Sequence, residues 1–126
     1  MELSDEVLDK LADIGDMEKR GILEEFLRSV RNPVIVEGES DAKPLGYFSV
    51  EDVIILNKGQ SMLQTVEAIH ENTHIIILTD FDQHGKELRK QLHTLFPHYA
   101  LLEDKRPREI FARLRLNHVE DLKSLI

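Results

Sequence analysis

Cysteine is absent from this sequence of 126 residues, which excludes disulfides, thiolate nucleophiles and cysteine-ligated metals. No apolar run comes near the roughly 20 residues that a helix needs to span a bilayer. The opening Met1-Glu2-Leu3-Ser4-Asp5 is acidic and lacks the basic-then-apolar order of a secretory signal. These absences point to a cytoplasmic protein with no membrane contact. Positive charge is also in short supply. Sixteen bases against 24 acids leave a net charge of −8, which excludes holding a nucleic acid by bulk electrostatics alone. No repeat, low-complexity tract or linker interrupts the chain. What remains, 41% apolar and 32% charged, reads as one globular domain, 1–126, with a real core.

The charge is unevenly spread. Residues 1–31 hold nine acids and five bases, whereas residues 83–118 hold eight bases and four acids. The basic stretch directly follows an aspartate pair, Asp80 and Asp82. Two solvated helix faces would produce the same imbalance, so charge alone leaves both readings open.

Along the chain, Ser4 followed by Asp5 and Glu6 predicts a helix N-terminus, because anions favour the positive end of the helix dipole. Val7, Leu8, Leu11 and Ile14 share one helical face, and Ile22, Leu23, Phe26, Leu27 and Val30 share a second. Arg31-Asn32-Pro33 ends that second helix, since proline disfavours helix in the residue before it. Three β-branched runs follow: Val34-Ile35-Val36, Val53-Ile54-Ile55-Leu56 and Ile75-Ile76-Ile77-Leu78. Their apolar character is continuous, as in parallel strands covered on both faces. Tyr99-Ala100-Leu101-Leu102 is a fourth candidate, with Tyr99 in the core. Helical spacing at Met62, Val66 and Ile69, and again at Leu88, Leu92 and Leu95, separates the strands. Ile110, Phe111 and Leu114 predict a further helix, and Val119, Leu122 and Leu125 a terminal one. The expected architecture is α/β: an open, mostly parallel sheet of about four strands, with right-handed crossovers and flanking helices. A helical N-terminal extension covers 1–31, and the C-terminal helices 104–126. The apolar N-terminal faces are expected to cover the chain's own sheet, although a second copy or partner would also suit them.

In open α/β sheets the ligand site lies beyond the carboxyl ends of the strands. Glu37 ends the first apolar strand, and Asp80 and Asp82 end the third. Residues i and i+2 of an extended chain point to one side, so both aspartates can face one cation. Hard divalent ions such as Mg²⁺ take oxygen ligands and keep several waters, so a few carboxylates suffice. The lack of cysteine and of paired histidines at zinc spacing argues against zinc. Acids also follow strands in ordinary turns, and Asp80 could simply cap the next helix. Lys58, at a strand end, is either a phosphate contact or a solvated turn lysine. Ser61 reads as a helix cap whose neighbouring N–H groups could bind phosphate. His84, beside the aspartates, is a proton shuttle or a surface histidine. Lys105, Arg106 and Arg108 form a short basic cluster able to hold a backbone phosphate.

Two motifs in order carry a family resemblance. The first is Val34-Ile35-Val36-Glu37-Gly38-Glu39-Ser40-Asp41-Ala42, an apolar strand followed by Glu-Gly. The second is Ile75-Ile76-Ile77-Leu78-Thr79-Asp80-Phe81-Asp82-Gln83-His84-Gly85, an apolar strand followed by Asp-x-Asp-x-x-Gly. With the intervening strand ending in Asn57-Lys58-Gly59, residues 33–103 resemble the Toprim domain. That domain is shared by topoisomerases, bacterial primases, nucleases of the overcoming-lysogenization-defect type and the ribonuclease that matures small ribosomal RNA. In size the chain is similar to the small standalone Toprim proteins.

The resemblance implies a Rossmann-like core and Mg²⁺-dependent phosphodiester chemistry on RNA or DNA, with Mn²⁺ as a substitute ion. Glu37 would be general acid or base and touch metal; Asp80 and Asp82 would coordinate it. Gly38 and Gly85 would allow tight turns beside the site. Topoisomerases need a tyrosine from another domain and DNA-gating parts, and primases a zinc domain and a basic subdomain, none of which is present. Nuclease action needs less: metal, activated water and a grip on the backbone. The expectation is a small metal-dependent nuclease, phosphotransferase or RNA-processing factor. The alternative is a non-catalytic nucleic-acid or ribonucleoprotein binding module on the same scaffold. Oligomeric state is left open by the sequence.

Overall fold

β-Branched side chains are stiff at χ1 and fit a pleated surface, and the three Val/Ile runs form the central strands. A computed structural model describes residues 1–126. Strands β1 (Val34–Val36), β2 (Val53–Ile55), β3 (His74–Ile77) and β4 (Leu102–Glu103) make one sheet in the order β2-β1-β3-β4. Every pair is parallel, with Val34 opposite both Val53 and Ile76, and His74 opposite Leu102. The chain leaves β1 for one edge and later returns on its other side. The β1/β3 boundary is therefore the point where strand order reverses, and a crevice opens there beyond the carboxyl ends. The fold is α/β and Rossmann-like.

The period-two alternation of the strands divides the core into two. Val34, Val36, Ile76 and Leu78 face a larger cluster that includes Leu11, Leu23, Phe26, Leu27, Phe111 and Leu122. Ile35, Ile75 and Ile77 face a smaller one with Val66, Leu92, Phe96 and Leu101. Helices α1 (Asp5–Ala12) and α2 (Met17–Ser29) belong to the larger cluster, so the N-terminal apolar faces do cover the chain's own sheet. Phe26 meets Phe111 edge to face at 5.1 Å, joining α2 to α6 (Arg106–Ala112). Each such fully buried side chain contributes about 1.5–3 kcal/mol of transfer free energy. No helix is long and apolar enough to cross a membrane.

Caps follow the sequence closely. The Ser4 hydroxyl accepts from the Val7 N–H at 3.2 Å, as expected. Ser61 opens α4 (Met62–Glu67) with a reciprocal box: its hydroxyl accepts from the Gln64 N–H while Gln64 accepts from the Ser61 N–H. Asp82, not Asp80, caps α5 (Gln83–Leu95), accepting from the Gly85 N–H at 2.8 Å.

Three elements differ from expectation. Helix α3 (Glu39–Tyr47) has no helical apolar period and contains Pro44, so sequence pattern does not reveal it. Its first turn is fixed by its own Asp41, whose carboxylate accepts from the Gly38 N–H at the helix start and from the Glu120 N–H of the C-terminal segment. The fourth strand begins at Leu102, later than the apolar run predicts, because Phe96–Tyr99 is a 3₁₀ turn closed by Ala100 at φ 54°. Tyr99 accordingly lies outside the sheet, its hydroxyl donating to Glu67 at 3.1 Å. The terminal pattern Val119–Leu125 is 3₁₀ in character, anchored by buried Val119 and Leu122.

Gly85 is where α5 closes on the end of β3. A Cβ there would stand 2.0 Å from the Asp80 carbonyl oxygen and 2.7 Å from its nitrogen, so the close approach admits only glycine. Gly38 differs: its φ of −147° is ordinary extended backbone and a Cβ would meet nothing closer than 4.0 Å, so no tight turn requires glycine there. Gly85→Ala is expected to lower the unfolding free energy by about 2 kcal/mol or more, the cost typical of overpacking. Urea denaturation checks this, with Gly38→Ala as the tolerated control.

Candidate metal centre

Glu37 and Asp80 leave adjacent parallel strands at the reversal point. The ladder continues just past the strands, with the Leu78 N–H donating to the Ile35 carbonyl at 2.8 Å. Two residues beyond, the Asp80 N–H donates to Glu37 Oε2 at 2.6 Å. The Asp80 carboxylate turns toward the C-terminal segment, where Oδ1 accepts from the Val119 N–H at 2.9 Å. That segment is laid alongside by the Phe81 N–H, which donates to the Asn117 carbonyl at 2.8 Å.

This docking brings His118 to the aspartates. Its Nε2 lies 3.1 Å from Asp82 Oδ2, and its Nδ1 lies 3.5 Å from Asp121 Oδ2. Asp80, Asp82 and His118 present ligand atoms all within 4.8 Å of one another and can hold a metal ion. Of the three carboxylates expected at the metal, the two aspartates are brought together. Glu37 is not part of that group, although it adjoins Asp80, accepting its N–H, with its proton affinity raised by burial and by the Asp80 carboxylate. Sequence reading missed His118 because it lies 36 residues from Asp82. A lone histidine just before the terminal apolar pattern is the only trace it leaves.

The acids differ in proton affinity. Burial raises Glu37; the hydrogen bond from the Asp80 N–H opposes that rise, and the neighbouring Asp80 charge adds to it. Asp82 moves the other way, lowered chiefly by the hydrogen bond from the Gly85 N–H, with His118 assisting. For His118 the loss of solvent acts downward but is outweighed by the charges of Asp80, Asp82 and Asp121, so its affinity rises. A further acid, Asp41, is only 5% exposed and was not singled out by sequence. Its Oδ2 accepts from the Gly38 N–H and its Oδ1 from the Glu120 N–H, each at 3.0 Å. It thereby ties the Glu37-Gly38 turn to the C-terminal segment.

The anticipated basic residues separate. Arg108 is a correction: it is buried, not part of a solvent-facing cluster. Its Nη1 donates to the carbonyls of Ile77 at 3.2 Å and Thr79 at 2.7 Å, and Nη2 to that of Asp80 at 3.2 Å. The guanidinium also sits 4.2 Å over the Phe81 ring. Burial brings its pKa down to about 10, which leaves it cationic at neutral pH. Lys105 and Arg106 remain exposed. Lys58 is exposed and pairs with Glu39 at 3.4 Å. His84 is a surface histidine whose Nε2 lies 3.9 Å from Glu37 Oε1.

An open cleft of about 470 Å³ borders the centre. Glu37, Gly38 and Asp80 line one side, His84 and Gln91 come from α5, and Leu56, Asn57 and Met62 follow β2. Asp80 is thus shared between the cleft and the metal-holding group.

No protein-family model matches the chain. It is 30% identical over 103 residues to a UPF0292 protein of Pyrococcus furiosus, covering 80% of this chain and 79% of that relative. A UPF0292 protein of Methanocaldococcus jannaschii is 31% identical over 100 residues, 77% of this chain and 71% of its own. Among solved structures, a protein from Aquifex aeolicus superposes with a TM-score of 0.70 at 26% identity, covering 79% of this chain and 96% of that one.

Two substitutions probe the scaffold. Arg108→Leu leaves three strand-end carbonyls without a donor and is expected to cost about 3 kcal/mol in urea denaturation; a loss below about 1 kcal/mol would mean those carbonyls find other partners. The raised His118 contributes stability that is fully present below its ordinary value of 6.5 and is lost as pH rises through its higher folded value. In chelator, the difference in urea midpoint between wild type and His118→Gln should therefore be largest in acid and shrink as pH rises.

Proposed function

The chain belongs to the UPF0292 family, and we propose that it performs Toprim-type, metal-dependent phosphodiester chemistry on nucleic acid, as a small nuclease or RNA-processing factor. The observation that carries this reading is the contact of Glu37 with the Asp80 N–H at 2.6 Å across the strand-order reversal, with Asp82 and His118 adjoining. It sets a proton-carrying carboxyl beside a group able to hold a divalent ion.

Each residue then has a distinct task. Asp80 and Asp82 hold the ion, their carboxylates oriented by the Val119 and Gly85 N–H groups. His118 completes the donor set. Glu37, raised by burial and only 19% exposed, moves a proton to or from the reacting oxygen at the cleft. Lys58, Lys105 and Arg106 are the exposed cations that remain for phosphate contact. When bound, a divalent ion neutralises charge on the phosphodiester oxygens and orients the attacking group. The residues fit such an ion, but a donor set with an imidazole suits Mn²⁺ better than Mg²⁺, which favours oxygen ligands throughout. The cysteine-free composition fits a cytoplasmic setting.

The alternative is a non-catalytic nucleic-acid or ribonucleoprotein binding module on the same scaffold, in which the centre holds an ion without turnover.

Labelled RNA and DNA incubated with purified protein and Mn²⁺ or Mg²⁺ test the reading. Cleavage is expected, faster with Mn²⁺, and reduced about a hundredfold or more in Glu37→Gln and Asp80→Asn. Equal cleavage by the variants would assign the activity to a contaminant. Metal-dependent binding without turnover would favour the alternative.

A further inference from the structure

We infer that the cleft beside Asp80 receives a single unpaired nucleobase, so that the ligand is a nucleotide or the end of a single strand rather than a duplex. This deepens the phosphodiester reading and rests on it. The cleft is mixed in chemistry. Four acids line it, Glu37, Asp41, Asp80 and Glu120, together with His84; Leu56, Met62 and Leu88 offer apolar area, and Asn57 and Gln91 exposed amides. No lysine or arginine lines it.

An anionic backbone laid along such a cleft would meet four carboxylates and, as its one basic group, the exposed His84 imidazole. Grip there must come from something other than phosphate. A flat, apolar ring with donors and acceptors on its edge matches what the walls provide: aliphatic side chains for its faces and two primary amides for its edge. A volume of about 470 Å³ lies in the range of sites for small organic ligands and is too small for a base pair with its backbones. The base must therefore arrive already unpaired, or be unpaired at a cost of a few kcal/mol. With the base so placed, its phosphate is directed toward the Asp80 side, where the metal-holding group adjoins.

The test uses the full chain with Mn²⁺. Adenosine and uridine monophosphates, ribose 5-phosphate, a short single strand and the matching duplex are titrated by calorimetry, with the Met62 and Leu88 methyl resonances followed by NMR after loading with diamagnetic Mg²⁺. Nucleotides are expected to shift those methyls and to bind about tenfold or more tightly than ribose 5-phosphate, the difference that burying part of an apolar ring supplies. Gln91→Ala, at an exposed position that leaves folding intact, and Leu88→Asn should weaken nucleotide binding while sparing ribose 5-phosphate. A strand that binds more tightly than the nucleotide identifies a strand end as the ligand source, and equal binding identifies the free nucleotide; both support the inference. Ribose 5-phosphate binding as tightly as the nucleotides, or the duplex as tightly as the single strand, would overturn it. Base-dependent binding in a protein that cuts nothing removes the nuclease and keeps the cleft's assignment. Cleavage with no preference for a base does the reverse.

Discussion

Everything at the strand ends depends on one guanidinium. Past the last ladder bonds of β3 the chain must turn, and the carbonyls of Ile77, Thr79 and Asp80 have no continuous strand partner on which to rely. Arg108, reaching in from α6, donates to all three while its flat face covers Phe81. Phe81 in turn stacks on Phe111 at 5.7 Å, so the polar anchor is continuous with the main core. From this anchored turn the Asp80 N–H points at Glu37, Thr79 donates to the Gly85 carbonyl at 2.7 Å, and Asp82 starts α5. A cation that in sequence resembles a surface hand for phosphate is instead the internal support of the acids.

Every acid of the centre gives at least one oxygen to a backbone N–H. Glu37 takes the Asp80 N–H, Asp80 the Val119 N–H, Asp82 the Gly85 N–H, and Asp41 those of Gly38 and Glu120. Side-chain entropy is thereby lost on folding and not at the moment a ligand binds, which is preorganisation in its plainest form. The same bonds explain the divergence of proton affinities. At the half-buried N-cap Asp82 the Gly85 N–H, with His118, outweighs the loss of water and makes the acid stronger, whereas Glu37 loses more water than one N–H can compensate.

The sheet was legible because its signal is local. Three β-branched runs, each closed by turn residues, identify the central strands, and acids just after two of them fall where a parallel sheet opens its crevice. What could not be read has a common cause, which is dependence on distant residues. Helix α3 lacks an apolar period, and its Asp41 is held by the Glu120 N–H, 79 residues away, as well as by the neighbouring Gly38 N–H. Tyr99 belongs to an apolar run, yet Ala100 in the left-handed region turns the chain before the strand begins. The reversal of role at Arg108 and the arrival of His118 both require the C-terminal third to fold back on β3. Neither leaves a periodic mark.

The way residues 117–120 close over the acids has a consequence for the order in which the protein is made. The Asn117 carbonyl, the His118 ring and the N–H groups of Val119 and Glu120 are all partners of groups translated well before them. A nascent chain that has already emitted Asp41 and Asp80 still carries them without the Glu120 and Val119 N–H groups, and Asp82 without His118, since domains assemble as units while synthesis proceeds from the N-terminus. The ribosome thus delivers the carboxylates early and the keystone late. During elongation Asp41 and Asp80 lack these bonds, and the group of Asp80, Asp82 and His118 comes together only as this later stretch settles onto the sheet.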